Sequence, residues 1–201
     1  MSEVPRRRKS LAWWVRWAHV YVSMIGFLAL LGFAVTGLTL NHASYFEGTP
    51  GDPVEVEGTL DRAWLPEDDA GVDKLAIVES LRAEHRLRGA VTEFLVDPEE
   101  LIIIFKGPGY SADVFVDREA ASYTLIEQAR GWMAILDDLH KGRDSGEAWS
   151  WVVDVSAVLM TLTSLTGIWL LLYLKKRRGP SLWAGLAGAL TLLVIYWLTV
   201  P

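Results

Sequence analysis

The sequence contains no cysteine in 201 residues. That excludes disulfides, thiolate zinc sites, iron–sulfur clusters, covalently attached c-type haem and a cysteine nucleophile. There is also no Walker loop, no dinucleotide fingerprint and no HExxH pair. A GxSxG nucleophile elbow is missing too. Nicotinamide and flavin binding by this chain therefore lack support, and any electron donor must be a quinol or another protein. Positive charge is scarce. The 19 Lys and Arg against 25 Asp and Glu leave a net charge of −6, which excludes a general nucleic-acid binder. What is abundant is apolar surface. Hydrophobic residues make up 51% of the chain, too many for a disordered protein.

The apolar residues fall in three runs. Residues 18–40 carry no charge, residues 149–174 carry one acid, Asp154, and residues 181–200 carry none. Each is long enough to cross about 30 Å of hydrocarbon. Trp13, Trp14, Trp17, Trp149, Trp151, Trp183 and Trp197 stand near the ends of these runs, where amphipathic indoles settle. Arg6, Arg7, Arg8 and Lys9 precede the first run, and Lys175, Lys176, Arg177 and Arg178 follow the second. Basic flanks mark the cytoplasmic side. The expected organisation is a basic cytoplasmic N-terminus (1–10), transmembrane helix 1 (11–41), an extracytoplasmic domain (42–148), transmembrane helix 2 (149–174), a basic loop (175–180) and transmembrane helix 3 (181–200). A cleavable signal peptide or twin-arginine export signal is the competing reading of the N-terminus. The first run is longer than a normal signal core, has no small-x-small site near Asn41, and is followed by two further spans.

The intervening domain is acidic, with 23 acids and 10 bases between His42 and Ala148, net −13. Residues 47–70 are rich in Gly, Pro, Asp and Glu and read as mostly loop. Val72, Leu75, Val78 and Leu81 recur at helical spacing, with Gly89 as a stop. Ala90–Val96, Leu101–Phe105, Ala112–Val116 and Ser122–Glu127 read as strands separated by tight turns. Ala129–His140 reads as an amphipathic helix. The fold class expected is thus an α-helical membrane protein of three transmembrane helices, with a small α+β domain between helices 1 and 2.

The four histidines point to chemistry. His19 lies about two turns into the first helix, His42 just past its outer end, and His140 just before the second helix. His85 stands beside Arg82, Glu84 and Arg86, as on a solvated helix face. Neutral imidazole ligates haem iron, and an imidazole in lipid needs a partner. His42 and His140 return to one membrane face and form a natural axial pair for one haem b. Histidines hydrogen-bonded to interfacial loops are the alternative. His19 and His42 are separated by about 34 Å of helix, so one haem cannot take both from one chain. A homodimer would supply a second His19 by symmetry. Asp154 is placed to orient His140 or His42 as a hydrogen-bond acceptor. Arg16, one turn from His19, is within reach of a haem propionate or snorkels to the surface. Thr36-Gly37 and Thr166-Gly167 recur in two helices, and small residues there allow close helix approach or room for a flat macrocycle.

Residues 16–42, RWAHVYVSMIGFLALLGFAVTGLTLNH, resemble the first helix of PepSY-associated transmembrane proteins. Residues 138–172 resemble their second helix, with LHKG, the Trp, the Asp and the TG pair in order. VFVDREAASY (114–123) is similar to the strand–turn–strand of a PepSY domain, with Glu119-Ala120-Ala121 where that turn usually carries TG. Larger relatives include ferric-siderophore reductases of the bacterial inner membrane that bind haem through membrane histidines. The resemblance implies haem b held by His19, His42 and His140, and electron transfer to iron chelates in the periplasm. The donor would be a quinol or a protein. This chain departs from those reductases in having three spans. The non-redox alternatives are a membrane-tethered PepSY module that binds a partner protein or peptide, and an accessory subunit of a metal-uptake system.

Overall fold

A computed structural model describes residues 10–46 and 51–201. The basic residues Arg6–Lys9 lie outside the described residues. Three helices are long and apolar enough to cross a membrane: α1 (Leu11–Asn41), α4 (Glu147–Tyr173) and α5 (Arg178–Thr199). Two shorter helices, α2 (Lys74–His85) and α3 (Gly131–Lys141), belong to the segment between α1 and α4. The chain divides into two compact units. One holds the residues up to Leu31 together with Val155–Pro201, and the other is Gly32–Asp154.

In the first unit, the less exposed positions of α1 include Val15, His19, Val22, Gly26 and Ala29. On α4 they include Ser156, Met160, Thr163, Gly167 and Leu170. Steps of three and four residues keep these positions on one side of each helix. A methyl group on Gly26 would meet Leu159 Cβ at 3.4 Å. The rest of each helix presents Leu, Val, Ile and Trp outward, as a lipid-facing surface does. No residue of α5 is buried.

The second unit is built on an antiparallel sheet of five strands in the order β1-β5-β4-β3-β2. The strands are β1 (Val54–Thr59), β2 (Ala90–Val96), β3 (Glu100–Gly107), β4 (Tyr110–Asp117) and β5 (Ser122–Ala129). β3 and β4 alternate strictly between buried residues and half-buried or exposed ones, the period-two signature of a sheet with one covered face. Leu101, Ile103, Phe105, Val114, Val116 and Leu125 fill the covered face with Ile77 and Leu81 of α2. Each fully buried side chain of this size stabilises by about 1.5–3 kcal/mol. Asp73 caps α2 by accepting from the Ala76 backbone N–H.

β1 departs from the expectation of loop over 47–70. Its residues Val54-Glu55-Val56-Glu57 alternate apolar and acidic, but over only four residues, inside a Gly- and Pro-rich stretch. Pairing with β5 along its whole length makes it a strand. Residues 60–71 are then strapped down by Arg118, which is buried at the β4–β5 turn. Its guanidinium donates to Asp69 at 2.5 Å, the Pro66 carbonyl at 2.6 Å and the Asp97 carbonyl at 2.7 Å. Ala121 in that turn has φ +54°, the left-handed conformation that the glycine of a TG turn would adopt without steric cost.

Candidate functional site

Two imidazoles stand in the same kind of setting, one in each unit. In the first unit, His19 Nδ1 lies 2.7 Å from Thr166 Oγ1. Thr166 Oγ1 also lies 2.6 Å from the Leu162 carbonyl and 3.1 Å from the Thr163 carbonyl of its own helix. In the second unit, His140 Nδ1 lies 2.7 Å from Thr36 Oγ1, which lies 2.9 Å from the Gly32 carbonyl and 3.2 Å from the Phe33 carbonyl. A carbonyl only accepts, so each hydroxyl spends its one proton on its own helix. With its proton placed on the helix carbonyl, the hydroxyl accepts from the imidazole, an assignment that makes Nδ1–H the donor in both cases. In the neutral ring, the free lone pair is left on Nε2.

The glycine after each threonine completes the setting. A methyl group on Gly167 would sit 3.5 Å from His19 Cε1. On Gly37 it would sit 3.5 Å from His140 Cε1 and 3.8 Å from Nε2. Each imidazole edge therefore lies against bare helix backbone. Phe33 adds an edge contact to His140, with ring centroids 5.3 Å apart. The Thr-Gly pairs seen in the sequence are thus histidine seats.

α3 positions His140 through the residues around it. Asp138 is 1% exposed. Its carboxylate accepts from the Gly109 backbone N–H at 2.9 Å, Arg130 at 3.1 Å and Arg143 at 3.2 Å. This ties α3 to the β3–β4 hairpin. Neighbouring Asp137 accepts from Lys141 and Arg143, and the Lys141 hydrogen bond is the largest cause of its lowered pKa. Gly142 ends α3 at φ +70°, and its N–H donates to the Leu139 carbonyl. Trp149 Nε1 donates to that same carbonyl at 2.8 Å. In the LHKG motif, the glycine turns the chain and the histidine before it reaches Thr36.

The other candidates stand apart. His42 is exposed, six residues beyond Thr36, and its ring contacts Tyr45. Among the described residues, no hydrogen bond or ring contact joins His42 to His140. Asp154 is exposed and makes no hydrogen bond to either histidine among the described residues. Arg16 is exposed on α1. His85 is not on a solvated face; its Nε2 lies 2.6 Å from the Tyr123 hydroxyl, part-buried. Tyr123 has its pKa pushed up to about 12, first by burial and then by Glu84. What the sequence did not reveal was Asp138, whose signal is only its place two residues before His140.

No cluster of three or more His, Asp or Glu that would hold a metal ion occurs among the described residues. Haem iron asks less of the protein, since the porphyrin supplies the equatorial donors and side chains only the axial ones. His19 and His140 each bring one imidazole nitrogen, Nε2, of the kind that requirement calls for. Ligating histidines typically donate their other ring N–H to a nearby acceptor, as His19 and His140 do. No curated protein and no solved structure matches this chain. A family model does match, over residues 13–201, and the chain belongs to the family described as "Putative PepSY_TM-like".

Proposed function

We propose that this chain is a multi-pass protein of the bacterial inner membrane that carries electrons toward the periplasm. His19 and His140 would hold haem b through Nε2. The observation that supports this most is the matched Nδ1–H to threonine bond at both imidazoles, which leaves Nε2 free in each. Bound haem supplies one-electron redox chemistry between Fe(III) and Fe(II).

The chain's own residues do the rest. Thr166 and Thr36 fix the ring tautomer and orientation. Gly167 and Gly37 keep the space beside each ring clear. His42, an exposed imidazole in the same unit as His140, would help hold haem at the outer site, and His19 of a second copy would do so at the inner site. Arg16 would offer a positive charge to a propionate there, and Asp154 would stay a polar group near the outer interface. On this reading the basic residues Lys175–Arg178 mark the cytoplasmic side and the acidic domain is periplasmic. One quinol oxidised to quinone at the inner face would release two protons and two electrons, enough to reduce two iron(III) chelates to iron(II) at the outer face; a one-electron donor protein would reduce one.

Haem quantified per chain in the purified protein and its variants tests the assignment. His140→Ala and His42→Ala should each empty the outer site while retaining the inner one. His19→Ala should do the reverse. Haem content unchanged in all three variants would overturn the proposal. The open face described next favours a second, non-redox reading, in which the domain is a tethered module for a partner protein.

A further inference from the structure

The second unit has a face that its own helices do not cover. α2 packs on one side of the sheet, where Leu101, Ile103 and Val114 are fully buried. On the other side, Leu95 is 49% exposed and Phe115 37%. The strand register shows how that side is composed. Leu95, Ile102, Phe115 and Thr124 form one row across the sheet, ending on Glu57. Glu93, Ile104, Asp113, Ile126 and Glu55 form the next. The outcome is an apolar centre of Leu95, Ile102, Ile104, Phe115 and Ile126. Asp113 stands within it, between Ile104 and Ile126, and Glu55, Glu57, Glu93, Glu100 and Asp117 stand around it, against a single cation on these strand positions, Lys106.

We infer that this face docks a basic, amphipathic, extended segment of a partner protein. The apolar centre supplies contact area, and the carboxylate border selects a positively charged occupant. A cavity of about 370 Å³ opens at one end of the face, between Glu100, Asp117, Phe115 and Thr124. It suits a Lys or Arg side chain, with the stem along Phe115 and the charged head among the carboxylates. The same charges disfavour the other occupants. A second copy would bring its own six carboxylates against these, and an anionic lipid surface would be repelled. The inference is independent of haem binding.

The test uses the full chain in nanodiscs of zwitterionic lipid, with empty nanodiscs as blank. The probe is a short fluorescent peptide alternating Lys and Val, and its Glu-and-Val counterpart is the charge control. Saturable binding of the Lys peptide alone is expected. Glu57→Gln with Asp113→Asn, and separately Phe115→Ser, should each weaken it about tenfold or more. Phe115→Leu should retain it. Glu67→Gln with Glu79→Gln, exposed acids elsewhere on the unit, should leave it unchanged. Where Phe115→Ser lowers thermal stability, Leu95→Ser on the edge strand replaces it. Equal loss from both acid pairs, or no loss from either apolar variant, would reduce the effect to general charge attraction and overturn the inference. Self-association of the chain that Phe115→Ser abolishes would overturn it in favour of a contact between copies.

Discussion

His140 Nδ1 donates to Thr36 Oγ1 at 2.7 Å, and that hydroxyl in turn donates to the Gly32 carbonyl. The relay from ring to hydroxyl to helix backbone decides which nitrogen of His140 carries the proton. It recurs at His19 and Thr166 with different residues and in the other unit. A structural clamp needs only one such bond to hold two helices. The same arrangement twice, each time with glycine beside the ring, is what a pair of ligand sites requires. Replacing Thr36 or Thr166 by Val removes the acceptor and leaves a half-buried imidazole N–H unpaired. A loss of about 1–3 kcal/mol in stability is expected. Ser in either place should restore most of it. Thermal denaturation of the purified protein in detergent checks both, and equal stability of the Val and Ser variants would contradict the relay.

The glycines give a graded prediction. A methyl group at position 37 or 167 would make ordinary contact with the imidazole, so Gly37→Ala and Gly167→Ala should change stability by less than about 1 kcal/mol. A branched side chain reaches beyond that space. Gly37→Val and Gly167→Val should displace the ring, lose the histidine–threonine bond and destabilise by about 1–3 kcal/mol. A denaturation series over the four variants reads this out; Val tolerated as well as Ala would mean the rings do not lie against these glycines.

Asp138 should be the most sensitive residue of α3. Its buried carboxylate holds the Gly109 N–H and both Arg130 and Arg143. Asp138→Ala should cost about 2–4 kcal/mol, because the buried Gly109 N–H and the Arg130 guanidinium lose their acceptor, while Arg143 keeps only Asp137. Asp138→Asn keeps one acceptor oxygen and should cost less. Hydrogen exchange at Gly109 is the sharper readout. It should speed up strongly in the Ala variant and modestly in the Asn variant.

Much of this architecture is legible in the sequence. The three apolar runs coincide with the three long helices, although α1 begins seven residues before the first run. Apolar stretches between tight turns mark β2 to β5. β1 escaped because its Val-Glu-Val-Glu pattern is short and sits among Gly and Pro, and only β5 makes it a strand. The histidines were legible as unusual, since imidazole is rare and costly in apolar helices. Their partners were not. Which threonine meets which histidine depends on helix register, and a one-residue change rotates a side chain by about 100°. The expected His42–His140 pair rested on both residues returning to one membrane face. In the structure, Thr36 is the partner of His140 Nδ1, and His42 stands exposed beside Tyr45. His85 looked solvated because its sequence neighbours are charged, yet a helix turns it onto Tyr123.

Tyr123 gives a pH prediction. Its folded pKa of about 12 lies above the ordinary value of 10, chiefly through burial. The folded state therefore holds the phenolic proton more tightly than the unfolded chain. That contribution is fully present below pH 10 and falls away as pH rises from about 10 to about 12. Stability measured across that window should drop by an amount on the order of 2 kcal/mol. Tyr123→Phe should remove this part of the decline, and an unchanged decline in the variant would assign it to other groups.

The absorption spectrum of the purified full chain, oxidised and then reduced with dithionite, tests the central claim most directly. A Soret band and a sharp b-type α band on reduction are expected, both lost when His19 and His140 are replaced together by Ala. A protein that stays colourless after haem is supplied during expression would contradict it and leave both histidine–threonine pairs as helix clamps.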